Sequence, residues 1–184
     1  MDSSPADITP LRRGYWLSMA ALVVALPAAL AARTWGDVKD WRAEHMRTPI
    51  PGAVGEPIGY AGASWTVTRF IRLAGSQSRV IVLAEFEAVI PDPQALGTVP
   101  CQVRISDDEG REWQPTFISD RAIRRLYPEA SERSLCGGPA FAAAEPGKPA
   151  KMAASFSIPA HDLTLSITLY SARPQYLNFS EPGN

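Results

Sequence analysis

The chain has 184 residues and is close to electrically neutral, with 18 lysines and arginines against 19 aspartates and glutamates. Its basic residues form no long stripe, which excludes the clustered cationic surface that nucleic-acid binding requires. Hydrophobic residues make up 46% of the sequence, which is sufficient for one ordinary domain with a real core.

An uncharged segment of nineteen residues runs from Gly14 to Ala32. As a helix it would be about 28 Å long, close to the hydrocarbon thickness of a bilayer. Tyr15, Trp16 and Trp35 lie where a membrane anchor places its interfacial aromatic residues. The segment also fits a cleaved signal peptide, because arginines precede it and residues 29–31 (ALA) form a small-residue cleavage site. Both interpretations stay open, and we favour the anchor, residues 14–32.

The sequence around this segment sets the expected topology. Residues 1–13 form a short cytoplasmic tail, whereas a globular region with two cysteines follows the apolar segment. The positive-inside count taken alone would place the C-terminal side inside, because more lysines and arginines follow the segment than precede it. The short tail and the cysteine pair favour the opposite orientation. We therefore expect a single-pass protein of the inner (cytoplasmic) membrane, with its N-terminus inside and its C-terminal domain in the periplasm or outside the cell.

Residues 33–57 are predicted to be a helical stalk followed by a linker. Three prolines and two glycines between Thr48 and Pro57 are typical of a short semi-rigid linker. The stalk is predicted from an apolar stripe at helical spacing, formed by Trp35, Val38, Trp41 and His45.

Strand-like alternation begins after the linker and gives the folded domain its assigned limits, residues 58–175, with 176–184 as a C-terminal tail. The strand Ser64–Leu73 would place Trp65, Val67, Arg69 and Ile71 on one face. The segment Arg79–Ile90 has the clearest strand pattern in the chain. It would bury Val80, Val82, Ala84, Phe86 and Ala88, and it would point Glu85 and Glu87 to solvent.

The remaining strands are shorter. Val99–Ser106 and Glu112–Phe117 are predicted to form a hairpin around a charged turn, with Pro115 limiting the second strand to an edge. Lys151–Ile158 and Leu163–Ser171 close the domain. About seven short strands separated by turn signals predict an all-β, antiparallel β-sandwich.

Two cysteines, Cys101 and Cys136, lie in the region expected to be exported. One disulfide is the expected outcome, with two free buried thiols or a redox pair as alternatives. Between them, Ser119 or Asp120 would cap a short helix that ends at Tyr127, and a long loop would continue to Ala150. We predict an interaction site on this segment, because arginine and tyrosine are enriched at interfaces. Its residues are Arg121, Arg124, Arg125 and Tyr127.

The order of these elements resembles the bacterial telokin-like, immunoglobulin-like extracytoplasmic domains. The resemblance covers most of Trp65–Tyr170 and rests on GASWTVTRF, RVIVLAEFEAVI, CQVRISDDEGREWQPTF, a second cysteine near Gly137-Gly138 and FSIPAHDLTLSITL. It implies a surface-exposed, immunoglobulin-like β-sandwich that is often tethered to a membrane and has no established chemistry.

No residue pattern indicates catalysis. His45 and His161 are the two histidines, and no G-x-S-x-G elbow accompanies them. The acidic run Asp107–Glu112 lacks the alternating spacing of a calcium loop. We therefore expect a protein that is not an enzyme and that uses no metal or cofactor.

The expected function is that of a membrane-anchored, extracytoplasmic, non-catalytic protein-interaction or assembly subunit of a cell-envelope system. Its expected partners are the lipid bilayer, through the N-terminal helix, and a membrane or periplasmic protein. The alternative is a secreted or periplasmic module that binds a small ligand or glycan after signal-peptide cleavage. In that case Trp65 and Trp113 would be exposed.

Overall fold

The computed structural model describes residues 9–75, 79–117, 120–159 and 163–181. The chain divides into two compact units, with the boundary between Met46 and Arg47. The described part of the N-terminal unit contains one helix, α1 (Thr9–His45). Within it, Gly14–Arg42 is long and apolar enough to cross a membrane, judged by length and composition. The helix passes Pro27 and continues through the predicted stalk.

The second unit is a β-sandwich of two sheets. Its described residues contain nine strands: β1 (Thr48–Gly52), β2 (Ile58–Tyr60), β3 (Ala63–Ala74), β4 (Arg79–Val89), β5 (Cys101–Asp107), β6 (Glu112–Trp113), β7 (Pro149–Pro159), β8 (Leu163–Leu169) and β9 (Gln175–Ser180). The first sheet has the order β1-β9-β8-β5-β6 and the second has the order β2-β3-β4-β7. The described residues of this unit also contain one turn of 3-10 helix, Tyr170–Ala172, and four short α-helices: α2 (Pro93–Gly97), α3 (Arg121–Leu126), α4 (Pro128–Glu132) and α5 (Gly138–Ala142).

The sandwich extends beyond both predicted limits, because β1 lies in the predicted linker and β9 lies mostly in the predicted tail. These two strands pair in parallel, whereas the other strand pairs are antiparallel. The N–H of Thr48 donates to the carbonyl of Pro174 (2.9 Å). Since strand residues alternate in direction, Pro49 and Pro51 face the free edge, where they present no N–H group. This edge therefore offers no donor at these positions to an additional strand.

The main core lies between the two sheets. Trp65 is its largest buried side chain, and its ring centroid lies 6.1 Å from that of Phe141 and 6.5 Å from that of Phe86. The buried hydroxyl of Tyr60 links the sheets, since it donates to the carbonyl of Gln175 (2.9 Å) and accepts from the N–H of Leu169 (3.0 Å). Burial raises the pKa of Tyr60.

The segment between β6 and β7 differs from the prediction of one helix and a long loop. Helix α3 lies where it was predicted, with the carboxylate of Asp120 accepting from the N–H of Ala122 (2.8 Å). The predicted loop, residues 131–150, however contains α5 and the last two residues of α4. Helices α3 and α4 cover the outer face of the second sheet, where a second apolar cluster forms from Ile81, Leu83, Ile123, Ala130 and Ala153.

Helix α5 is held to the sandwich covalently and by close packing. Cys101 and Cys136 form a disulfide that joins the start of β5 to the segment just before α5, with the Cα atoms 5.5 Å apart. A Cβ atom at Gly138 would lie 2.8 Å from the carbonyl oxygen of Gly97 in α2, so only glycine allows this approach without a shift. Phe141 is thereby inserted into the core beside Trp65.

Candidate interaction site

A β-bulge in β3 determines which side chains reach the outer face of the second sheet. Val67 pairs with Phe86, and the next paired residue is Arg69, opposite Glu85, so that Thr68 is the extra residue. The hydroxyl of Thr68 donates to the carbonyl of Glu85 (3.1 Å). The prediction that Trp65, Val67, Arg69 and Ile71 share one face of β3 is therefore wrong. The bulge sends Arg69 outward and places Phe70 in the core.

Glu85 is the centre of a charged group on this outer face. Its side chain is only 5% exposed, which corrects the prediction that it points to solvent. One carboxylate oxygen accepts from Arg69 and the other from Arg133. Burying a carboxylate is unfavourable unless it is paired and hydrogen-bonded, and the two arginines meet that requirement. We call Arg69, Glu85 and Arg133 the buried triad, after the burial of its central carboxylate; Arg69 itself is exposed.

Both arginines of the buried triad have further contacts. The guanidinium carbon of Arg69 lies 4.8 Å from the ring centre of Tyr127, a cation–π arrangement. A guanidinium nitrogen of Arg133 lies 3.7 Å from a carboxylate oxygen of Glu129. The triad has a net charge of plus one, and Arg69 remains 42% exposed. A positively charged group is thus held in a fixed position with access to solvent.

A cleft of about 400 Å³ opens where the helical cover ends. Its walls and floor include the buried triad, Tyr127 and the two cross-strand neighbours Glu87 and Lys151, which lie directly opposite each other in β4 and β7. Among the described residues, neither Glu87 nor Lys151 forms an ion pair. Leu126 and Pro128 add an apolar wall. The cleft therefore combines fixed charges, unpaired charges and apolar surface.

The predicted interaction residues lie in two different environments. Arg121, Arg124 and Arg125 are exposed on α3, whereas Tyr127 is half-buried and lines the cleft. Leu126 is 59% exposed, although the helical pattern assigned it to the apolar side. Sequence reasoning did not identify Arg69, Glu85 and Arg133 as site residues. In the sequence, Arg69 is recognisable as a charged residue at a position where the alternation predicts an apolar one. The apolar Phe70 follows it directly.

The other candidates from the sequence have structural roles or lie outside the described residues. Within the acidic hairpin, buried Asp107 accepts from the backbone N–H and the Nε of Arg111 (2.8 and 2.6 Å). The hydrogen bond that Arg111 donates to the Asp107 carboxylate raises the pKa of Arg111. The described residues contain no group of three or more metal-ligating side chains. The side chain of His45 and all of His161 lie outside the described residues.

The two tryptophans proposed for glycan binding do not form an exposed platform. Trp65 is 1% exposed and lies in the core. Trp113 is half-buried, packs against the same core and has the guanidinium of Arg111 5.8 Å from its ring centre. The expectation that both tryptophans are exposed for glycan binding is therefore wrong.

Fold and sequence together define a two-sheet β-sandwich protein with a long apolar N-terminal helix. Solved structures with a similar backbone include the yjhA protein from Bacillus subtilis, with a TM-score of 0.46, 16% identity, and coverage of 71% of this chain and 98% of that one. An uncharacterized β-sandwich protein from Clostridium difficile 630 has a TM-score of 0.48, 9% identity, and coverage of 74% and 96%. A conserved hypothetical protein from Bacillus anthracis has a TM-score of 0.43, 13% identity, and coverage of 65% and 89%. No protein-family model and no curated protein matches the sequence.

Proposed function

We propose that this protein is a membrane-anchored, immunoglobulin-like extracytoplasmic domain that acts as a non-catalytic protein-interaction or assembly subunit of a cell-envelope system. The observation that carries the proposal is the surface formed by α3 and the cleft. Three exposed arginines lie on a short capped helix, and the adjoining cleft contains the partly exposed Arg69. Fixed arginines and aromatic side chains at the edge of a rigid scaffold are typical of protein interfaces.

The anchor is supported by the length of α1 and by its aromatic residues. The stretch Gly14–Arg42 has 29 residues, and Tyr15, Trp16 and Trp35 are more than half exposed in the isolated chain. An apolar helix with exposed aromatic side chains at both ends suits a bilayer, where lipid and headgroups cover these surfaces. In this proposal the N-terminus is inside and the sandwich lies in the periplasm or outside the cell.

We expect the mature protein to remain in the membrane fraction after alkaline carbonate extraction, because an apolar helix of this length inserts stably. N-terminal sequencing or intact mass determination of the extracted protein checks that α1 is retained. Release into the supernatant, with an N-terminus at Ala32, would establish signal-peptide cleavage. That result would favour a secreted or periplasmic small-ligand module, for which the cleft has a suitable volume.

We expect the triple charge reversal Arg121→Glu, Arg124→Glu and Arg125→Glu to weaken partner recovery strongly while leaving the unfolding midpoint nearly unchanged. The three side chains are exposed, and exposed charges contribute roughly 0–1 kcal/mol each to stability. Crosslinking and co-purification of the full chain from detergent-solubilised membranes measure recovery, and thermal unfolding of the same samples measures stability.

The matched control replaces the same three arginines with lysines, which keeps the charge and alters only the hydrogen-bonding geometry. Partner recovery should largely survive in this control. Unchanged recovery after the glutamate substitutions would show that the cluster is inert. A collapsed fold would show that it is structural, and the interaction surface would then have to be sought on the sheets.

A further inference from the structure

We infer that the cleft over β3, β4 and β7 accepts a carboxylate side chain from an extended, acidic segment of the partner protein. The inference rests on the proposed function and names the chemistry of the partner. Arg69 is the anchor for the carboxylate, Lys151 is the second cation, and α3 supplies the positive field at the cleft wall.

Arg69 is fixed but still has donors to offer. Its guanidinium is held from one side by Glu85 and from another by the ring of Tyr127. A guanidinium has five N–H donors in a planar fork, and among the described residues its one hydrogen-bond acceptor is the Glu85 carboxylate. The side chain is 42% exposed and lines the cleft. An arginine that is held in place loses little entropy when it binds a second carboxylate.

The charges around the cleft favour an anion. Within the cleft three cations and three carboxylates balance: Arg69, Arg133 and Lys151 against Glu85, Glu87 and Glu129. Two of these carboxylates already contact Arg133. Helix α3 adds three arginines, whereas its cap Asp120 and Glu132 of α4 add two carboxylates. The cleft together with α3 and α4 therefore has a net charge of plus one, and its cations steer an acidic segment toward the cleft.

The shape of the cleft favours an extended segment. In an extended chain alternate side chains point to the same side, about 7 Å apart. The cleft has a charged floor on the sheet and an apolar wall at Leu126 and Pro128. A segment in which acidic residues alternate with small or apolar residues would present carboxylates to the floor.

The test measures binding of a short fluorescein-labelled peptide, in which glutamate alternates with alanine, to the full chain in detergent at low salt. A peptide with glutamine in place of glutamate is the matched probe, and detergent without protein gives the background. We expect the glutamate peptide to bind at least about tenfold more tightly than the glutamine peptide. Fluorescence anisotropy gives both affinities.

Lys151→Glu is the decisive variant, because Lys151 is exposed and unpaired in the described structure and its replacement leaves the buried triad intact. We expect it to weaken binding of the glutamate peptide about tenfold. Arg79→Glu is the matched control. It reverses an exposed cation of β4 that has no ion pair among the described residues and lies near the opposite end of the sheet, and it should change the affinity less than about twofold.

Equal binding of the two peptides, or unchanged binding by Lys151→Glu, would overturn the inference. The failure of this inference and that of the proposed function are distinguishable. If the α3 reversals reduce partner recovery while Lys151→Glu leaves peptide binding unchanged, the interaction function stands and the cleft is not its site. If partner recovery is insensitive to the α3 reversals and to Lys151→Glu, this surface has no role in partner binding.

Discussion

Replacing both half-cystines, as Cys101→Ala with Cys136→Ala, is expected to lower the free energy of unfolding by about 4 kcal/mol. The two residues are 35 positions apart. In the chain-entropy model, a cross-link that closes a loop of this size lowers the conformational entropy of the unfolded chain and so raises its free energy by about 4 kcal/mol. The loop contains α3 and α4, so the disulfide limits the freedom of the segment that carries the proposed interaction surface.

The variant should still reach the native fold, because Phe141 anchors α5 independently of the disulfide. Phe141 is fully buried and packs edge-to-face against Trp65. Urea unfolding followed by tryptophan fluorescence measures the change, and the wild-type protein under reducing conditions is the control that should match the variant. Mass spectrometry of unreduced peptides tests whether the Cys101–Cys136 disulfide is present in the native protein. Two free thiols in protein from its native compartment would contradict the prediction.

The strongest strands could be predicted from the sequence because their alternation is local. In β4, apolar residues occupy every second position and face the core, as expected from the pattern. Helix α3 could be predicted for a similar reason, since Asp120 supplies a cap next to the apolar Ile123. Burial and capping within a few residues leave a direct signal in the chain.

The ends of the sandwich could not be predicted, because their pairing is not local. The segment TPIPG has the composition of a linker, and only its partner β9, at the other end of the chain, makes it a strand. Its two prolines are compatible with a strand because they face the free edge. The sequence shows the prolines but not which side of the strand they occupy.

The buried triad was missed for a related reason. Without the bulge at Thr68, simple alternation would place Arg69 on the core side together with Val67. Arg133 is far away in the sequence and reaches Glu85 only because α3 and α4 fold over the sheet. The predicted arginines of α3 are exposed and belong to one short helix, whereas the cleft depends on the tertiary structure.

Removing both arginine partners of Glu85, as Arg69→Met with Arg133→Met, is expected to lower the free energy of unfolding by about 3 kcal/mol. The reason is that Glu85 would remain buried without a compensating charge. The value lies at the lower end of the usual range, because the cleft beside Glu85 lets water approach. Urea unfolding of the full chain measures the change.

The other sheet provides a matched control. Glu112 also lies between two arginines, Arg47 and Arg104, but it is 36% exposed. Arg47→Met with Arg104→Met makes the same chemical change around a solvated carboxylate, which should cost about 1 kcal/mol. Equal losses in the two double variants would show that burial of Glu85 is not what makes its pairing important.

A triple variant separates stability from function. Adding Glu85→Leu to the Arg69→Met and Arg133→Met pair removes the buried carboxylate that has lost its partners. Burying an apolar side chain there should restore most of the lost free energy of unfolding. The same variant should lose binding of the glutamate peptide, because Arg69 is absent. Stability near that of the wild type, together with lost binding, would mean that the triad serves to position Arg69 for a ligand. Stability as low as that of the double variant would instead assign the loss to the arginine stems that pack over the sheet and Tyr127.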